Sequence, residues 1–494
     1  MTEINSRASA PAAVVPRRSW QALVVLLLGM FMALLDTTIV NVALPTIETS
    51  LDASEATLSW IISGYALAFG LALIPAGKVG DRIGHKWVFF AGLALFTVAS
   101  FACGLAQNDI QLVVARIVQG LAGGIFVPAV TAFIQLLFPG QVRGKAFAIM
   151  GAVIGVSTAL GPIAGGLIIE AFGNENGWRG VFWVNLPIGI VGLIAAAVLL
   201  PKRSDTETTP QSGIDWVGLV LVTAGLVALL VPLIEGQDQG WPLWTYLTLV
   251  AGALLIAAFA VWEVRYTRRG RNPLVPPKLF THPAFTGGTI LALVYFASFT
   301  SIFFTLSLLW QTGLGNSALS SGAVMLPFAI GSIIASSQSN RLTQRLGRTV
   351  LLLGTSFVAI GLIWIWIVLA TTDGADLTNW KLLLPLLIAG LGNGAFIAPN
   401  AQFIVATVDR QDAGAASGVI STMQRIGSAV GIAVIGSVLF GSLTITGPDT
   451  VASGFMHAAS VAMAVSAAFG VAALLLVFAL PKRVDAPGPP VRSE

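Results

Sequence analysis

The sequence predicts an all-α integral membrane protein with fourteen transmembrane helices in a 6+2+6 arrangement and both termini cytoplasmic. Three observations carry this. Only 10% of the 494 residues are charged and 56% are hydrophobic, with a mean hydropathy of +0.86. Soluble proteins carry roughly 25% charged residues, so lipid rather than water must cover much of this surface. The apolar residues gather in runs of about 20, the length of a helical span and twice that of a barrel strand. The basic residues cluster in every second loop.

The spans fall, in order, at 20–47, 56–76, 87–106, 110–138, 144–170, 180–200, 214–234, 242–263, 284–310, 318–338, 349–370, 380–407, 413–441 and 455–480. Residues 1–19 lack an apolar core, so they read as a cytoplasmic tail and not as a cleavable signal peptide. With that tail inside, alternation puts 22 of the 26 basic residues in cytoplasmic segments and two, Arg179 and Lys381, in outer loops. The other two, Arg116 and Arg425, lie inside spans. A missed helix would invert every later loop and erase this bias. The basic residues thus set topology, and the net charge of +4 gives no reason to expect nucleic acid.

The segment PKRSDTETTPQSG at 201–213 and the basic, proline-rich segment 264–283 read as linkers around spans 7 and 8. The expected organisation is a six-helix bundle over 20–200, linkers and an inserted pair over 201–283, a second six-helix bundle over 284–480 and a cytoplasmic tail over 481–494. A weak internal repeat supports it. GKVGDRIGHK at 77–86 matches NRLTQRLGRT at 340–349 with an offset of 263, pairing Arg82 with Arg345 and Gly84 with Gly347. Further on the offset is 270, pairing Gly120 with Gly390, Gly124 with Gly394 and Phe126 with Phe396. Two related halves in one orientation place a transport site between them near mid-membrane.

Six motifs stand in order: LLDTTIVNVALPTI (34–47), WIISGYALAFG (60–70), GKVGDRIGHK (77–86), ARIVQGLAGGIFVPA (115–129), GAVIGVSTALGPIAGGLI (151–168) and WRGVFWVNLPIG (178–189). This set resembles the major facilitator superfamily, and within it the fourteen-span drug:proton antiporters, over nearly the whole chain. The resemblance implies a multidrug efflux protein of the cell (inner) membrane, conferring antibiotic resistance. Its halves rock about a shared cavity that takes a small amphiphilic substrate and protons.

Asp36 is the one carboxylate that these spans place deep in the membrane. A buried carboxylate is costly when ionised, so a proton carrier is the functional reading and a structural pairing the alternative. In similar antiporters the matching acid is the protonation site, and the arginine matching Arg116 is associated with coupling. Gly77, Asp81, Arg82 and Gly84 form the cytoplasmic gate motif of the family. The glycines permit a tight turn, and His85 stands where the family often has a basic residue. Gly151, Gly155, Gly161, Pro162, Gly165 and Gly166 match the family's antiporter motif; generic small-residue packing is the alternative. Cavity candidates are Asn41, Tyr65, Tyr295, Phe299, Phe303, Trp310, Asn393, Asn400, Gln424 and Arg425. With Asp36, Arg116 and Arg425 all ionised the cavity is near +1, which favours neutral, zwitterionic or anionic cargo over dications.

No enzyme, cofactor or metal is expected. Cys103 is the lone cysteine, the three histidines are scattered, and GQVRGKA at 140–146 lacks the spacing of a phosphate-binding loop. A monomer is expected. Two other readings stay open: a lipid or lipid-precursor flippase of the same fold, and a membrane sensor or scaffold that does not transport.

Overall fold

A computed structural model of the chain describes residues 15–138, 140–173, 175–201, 215–236, 239–271, 273–405, 408 and 413–480. Among these every regular element is helical. The α-helices are α1 (Arg17–Leu51), α2 (Glu55–Ile83), α3 (His85–Leu105), α4 (Asp109–Leu137), α5 (Gly140–Phe172), α6 (Gly177–Trp183), α7 (Asn185–Leu199), α8 (Trp216–Glu235), α9 (Leu243–Arg268), α10 (Pro283–Leu308), α11 (Ala318–Val324), α12 (Leu326–Leu346), α13 (Thr349–Thr371), α14 (Asn379–Val405), α15 (Ala413–Gly441) and α16 (Val451–Phe478). Thirteen stretches are long and apolar enough to cross a membrane, and Trp216–Pro232 in α8 is a shorter apolar fourteenth. The α6–α7 pair makes one such stretch, Gly177–Leu199; α10 with a π turn at Leu309–Gly313 makes another; α11 runs into α12 as a third. The chain is a multi-pass membrane protein.

Local chemistry sets the helix starts. The side chains of Ser54, Asn108, Asp215 and Ser317 each accept a first-turn backbone N–H, of Thr57, Gln111, Gly218 and Ser320. Such caps satisfy donors that the helix itself leaves free. The turn after the second span differs from expectation. Gly77 and Gly80 are helical, because α2 continues to Ile83, and only Gly84 makes the turn, at φ 98°. Gly80 instead leaves room for the His85 imidazole, against which a Cβ would collide. In the second half Gly347 ends α12 with the same device, at φ 53°. The segment expected as a basic linker is partly ordered: α9 runs to Arg268, and a 3-10 turn occupies Pro277–Thr281.

The repeat has a packing meaning. A Cβ on Gly120 would strike the Tyr65 carbonyl, and one on Gly390 the Phe328 carbonyl. Gly124 meets the Phe69 carbonyl in the same way, and Gly394 meets that of Ser332. Each half therefore crosses two helices, α2 on α4 and α12 on α14, at backbone contact over matched glycines.

The halves meet through α2 with α15 and through α5 with α11 and α12. This seam is tight toward the face away from the chain ends. Ser307 donates to the Asn41 carbonyl at 2.7 Å and Gln311 to that of Val42 at 3.0 Å. Gly322 sits on the Pro162 carbonyl, and a Cβ on Gly166 would lie 2.7 Å from Leu319 Cα. Nearer the chain ends the α5 face opens. A Cβ on Gly155 would touch only Ile333, at 3.9 Å, and one on Gly151 would meet nothing within 4 Å among the described residues. The inserted pair packs through Gly225 and Gly252, and α8 reaches α2 and α15. At its end Glu235 accepts from Trp60 Nε1 at 2.7 Å.

Candidate functional site

The deepest polar feature centres on Asp36, fully buried halfway along α1. Its Oδ2 accepts from Arg116 at 2.5 Å, and its Oδ1 from Gln119 Nε2 and Asn185 Nδ2, both at 2.9 Å. Arg116, 1% exposed, also donates to Gln119 Oε1 at 2.7 Å and to the Ile61 carbonyl at 3.0 Å. Ser100 accepts from both amides, at 2.8 Å from Gln119 and 3.3 Å from Asn185. Helices α1, α2, α3, α4 and α7 thus converge on one carboxylate. Asn185 opens α7 just past the α6–α7 break, where Val184 alone separates Trp183 from Asn185. A buried ion pair needs such satisfied surroundings, because desolvation otherwise outweighs the Coulombic gain.

A second feature extends the network. The Arg116 guanidinium lies 4.1 Å from the centroid of Tyr65, and the Arg425 guanidinium 4.0 Å from that of Phe69. Tyr65 and Phe69 are one turn apart on α2, with ring centroids 5.9 Å apart. The ionic pair of the first half is therefore linked through two aromatic rings to a cation on α15 of the second. Among the described residues Arg425 pairs with no carboxylate, and its Cβ contacts Gly70.

The other expected residues fall into groups. Tyr295 stacks on Phe396 at 3.7 Å and donates to Asn393 Oδ1 at 3.0 Å. Phe299 packs against Tyr295, and Phe303 against Phe328. These form an aromatic wall in the second half. Asn41 bonds back to the Thr37 and Thr38 carbonyls, and its buried Oδ1 has no donor. Asn400 reaches the Gly288 carbonyl at 3.3 Å, again with an orphaned Oδ1. Trp310 donates to Ser320 at 3.1 Å, and Gln424 is half-buried. Gly161 and Gly165 pack on Thr38 and Ile39 of α1, next to Asp36, while Gly166 faces α11. Pro162 lies between these two contacts, within α5. Asp81 and Arg82 fall in the last turn of α2, and their side chains lie outside the described residues.

Three members of the Asp36 cluster are absent from the sequence-based expectation: its partners Gln119 and Asn185, and Ser100, which accepts from both. Two were in view, since Gln119 stands three residues after Arg116 on the same helix face and Asn185 lies inside the sixth motif. Asp36 is also not the sole buried acid. Asp215 and Glu263, at the ends of the inserted helices, are 2% and 3% exposed.

The sequence profile of the Major Facilitator Superfamily matches residues 26–432. The chain is 36% identical to the probable actinorhodin transporter of Streptomyces coelicolor, over 86% of this chain and 73% of that protein. It is 33% identical to the tetracenomycin C resistance and export protein of Streptomyces glaucescens, over 90% and 81%. It is 34% identical to the puromycin resistance protein pur8 of Streptomyces alboniger, over 94% and 91%. In fold it is similar to the xylose transporter XylE from E. coli in a partially occluded inward-open conformation, with a TM-score of 0.63 at 14% identity, covering 96% of this chain and 99% of that one.

Proposed function

This chain belongs to the major facilitator superfamily, and we propose that it exports small amphiphilic compounds, antibiotics among them, across the cell membrane in exchange for protons. It is a transporter and not an enzyme. The export direction and the cargo class draw support from relatives whose names are those of antibiotic resistance and export proteins. Proton coupling rests on one observation: a fully buried carboxylate whose ionised form is held by a buried arginine and two amides.

The proposed cycle follows from what protonation does to that cluster. A proton on Asp36 removes the counter-charge of Arg116 and turns one carboxyl oxygen from acceptor to donor. The guanidinium must then rely on Gln119, the Ile61 carbonyl and the Tyr65 ring. Two of these, Ile61 and Tyr65, belong to α2, the helix that packs on α15 across the seam. Protonation thus bears on the surface along which the halves rock. With the basic termini cytoplasmic, a seam closed on the opposite face is the inward-facing member of the cycle. In this member the Asp36–Arg116 pair is intact. Coupling then requires that substrate and proton favour different members, since a ligand shifts an equilibrium only through differential affinity.

The test is Asp36→Asn in proteoliposomes with an imposed pH gradient, with flux normalised to folded protein. Normalisation matters because the variant leaves Arg116 buried without its counter-ion, at a cost of about 3–5 kcal/mol. Gradient-driven export should vanish while ligand-induced thermal stabilisation persists. Export at the wild-type rate would refute Asp36 as the proton carrier.

A further inference from the structure

We propose that Asp215 and Glu263 form a second proton-binding site, a carboxyl dyad that latches the segment entering α10 to the inserted helix pair. Asp215 caps α8, with Oδ1 accepting from Gly218 N at 2.9 Å, and both its oxygens face Trp262 Nε1 at 3.0 and 2.9 Å. Glu263 Oε2 accepts from the backbone N–H of Val275 at 2.8 Å. Glu263 Oε1 is buried and has no donor. It faces the other acid: one point, where a Cβ on Gly218 would sit, lies 2.6 Å from Asp215 Oδ2 and 2.7 Å from Glu263 Oε1.

Ionised carboxylates accept hydrogen bonds and donate none. Two of them facing each other repel, and neither satisfies the orphaned oxygen. A single proton between them removes one charge and supplies an O–H···O⁻ bond, the stronger charge-assisted kind. Among the described residues the surroundings offer no other remedy. On α9, Tyr266 stacks on Trp262, and Arg271 lies 5.6 Å over the Tyr266 ring. Arg265, Arg268 and Lys278 are exposed, and among the described residues no basic side chain forms an ion pair with either acid. From the following segment Val275 contributes its backbone N–H, and Leu274 and Val275 are buried. The protonated dyad therefore joins the first turn of α8, the last turns of α9 and the entry to α10. Raising the pH removes the shared proton and leaves two buried negative charges, which draw in water and open the junction. This site shares no residue with the Asp36 cluster and does not depend on the cargo or direction of transport.

Hydrogen exchange on the full-length protein in lipid nanodiscs, without substrate or gradient, tests it. From about pH 6 to about pH 9, protection of residues 273–281 and of the first turn of α8 should fall at least about tenfold beyond the intrinsic rise in exchange rate. In Glu263→Gln the amide donates to Asp215 and still accepts from Val275, so protection should stay constant with pH. Asp215→Asn keeps the cap and should behave alike; it decides the matter if the first variant does not fold. PH-independent protection in the wild type, or an equal pH dependence in the variants, would overturn the latch.

Discussion

At the scale of single residues, charge is what a sequence displays most clearly in a membrane protein. Asp36, Arg116 and Arg425 stand out because an ionised group inside an apolar run demands a reason. The structure joins two of them and leaves the third without an acidic partner among the described residues. Asp36 and Arg116 cancel, so if cargo binds at this seam the charge it meets is that of Arg425. An anionic amphiphile would gain from it, and a dication would be repelled. Arg425→Gln should therefore lower export of an anionic substrate about tenfold relative to a neutral analogue, the scale of one partly screened charge contact. Matched anionic, neutral and dicationic dyes in an efflux assay read this out. Equal loss for all three would make Arg425 a structural anchor through Phe69 and nothing more. Gln119, Asn185 and Ser100 were not legible in the same way, because a neutral amide or hydroxyl scarcely disturbs a hydropathy profile. Their role depends on which helix faces Asp36, which only the folded bundle specifies. Asp215 and Glu263 were hidden for another reason: each lies at a span end, where a charge ordinarily reaches water.

At the scale of helices, the legible feature was the repeat and the illegible one was where helices stop. The second span reads as ending near 76 because hydropathy drops at GKVGDR, yet α2 runs to Ile83. Apolar character follows the membrane, while helix continuity follows backbone hydrogen bonding, and the two diverge once the chain leaves lipid. Gly84 ends the helix because its φ of 98° lies in a region that side chains rarely adopt. The pairing of Gly120 with Gly390 and of Gly124 with Gly394 was visible as letters alone. The structure gives it a cause, since each glycine admits a neighbouring backbone carbonyl. Gly120→Leu and Gly390→Leu should then each destabilise the fold by about 1–3 kcal/mol or more through overpacking. Gly151→Leu, with nothing within 4 Å of its Cβ among the described residues, should leave the melting temperature unchanged. Thermal unfolding in detergent compares the three, and equal melting temperatures would remove the crossing role of the matched glycines.

At the scale of the whole molecule, transport requires the two halves to exchange which side of the seam is closed. The α5 helix records the present state along one face. Gly151 and Gly155 are one turn apart, and Pro162 and Gly166 continue the same stripe toward the far end. The far pair is in contact with α11: Gly322 packs on the Pro162 carbonyl, and Gly166 on Ala318 and Leu319. The near pair meets only Ile333, at 3.9 Å, among the described residues. Gly161 and Gly165, at the level of this far contact, rest on α1 beside Asp36, so α5 is held on two sides there. Rocking must break the far contact, so a covalent bond there should stop the cycle. The same face of the seam is closed between α2 and α15, where a Cβ on Gly436 would lie 3.0 Å from Ser59 Oγ, so cysteines at these two positions are close enough to cross-link. Cys103 is fully buried on α3 and does not compete for oxidant. Oxidation of the Ser59→Cys, Gly436→Cys double variant should abolish export, and reduction should restore it. A maleimide that cannot cross the membrane should still label an added Gly151→Cys from the cytoplasmic side in the locked form. Full export by the oxidised protein would mean that this seam stays closed throughout the cycle, and the rocking of the two halves would have to be abandoned.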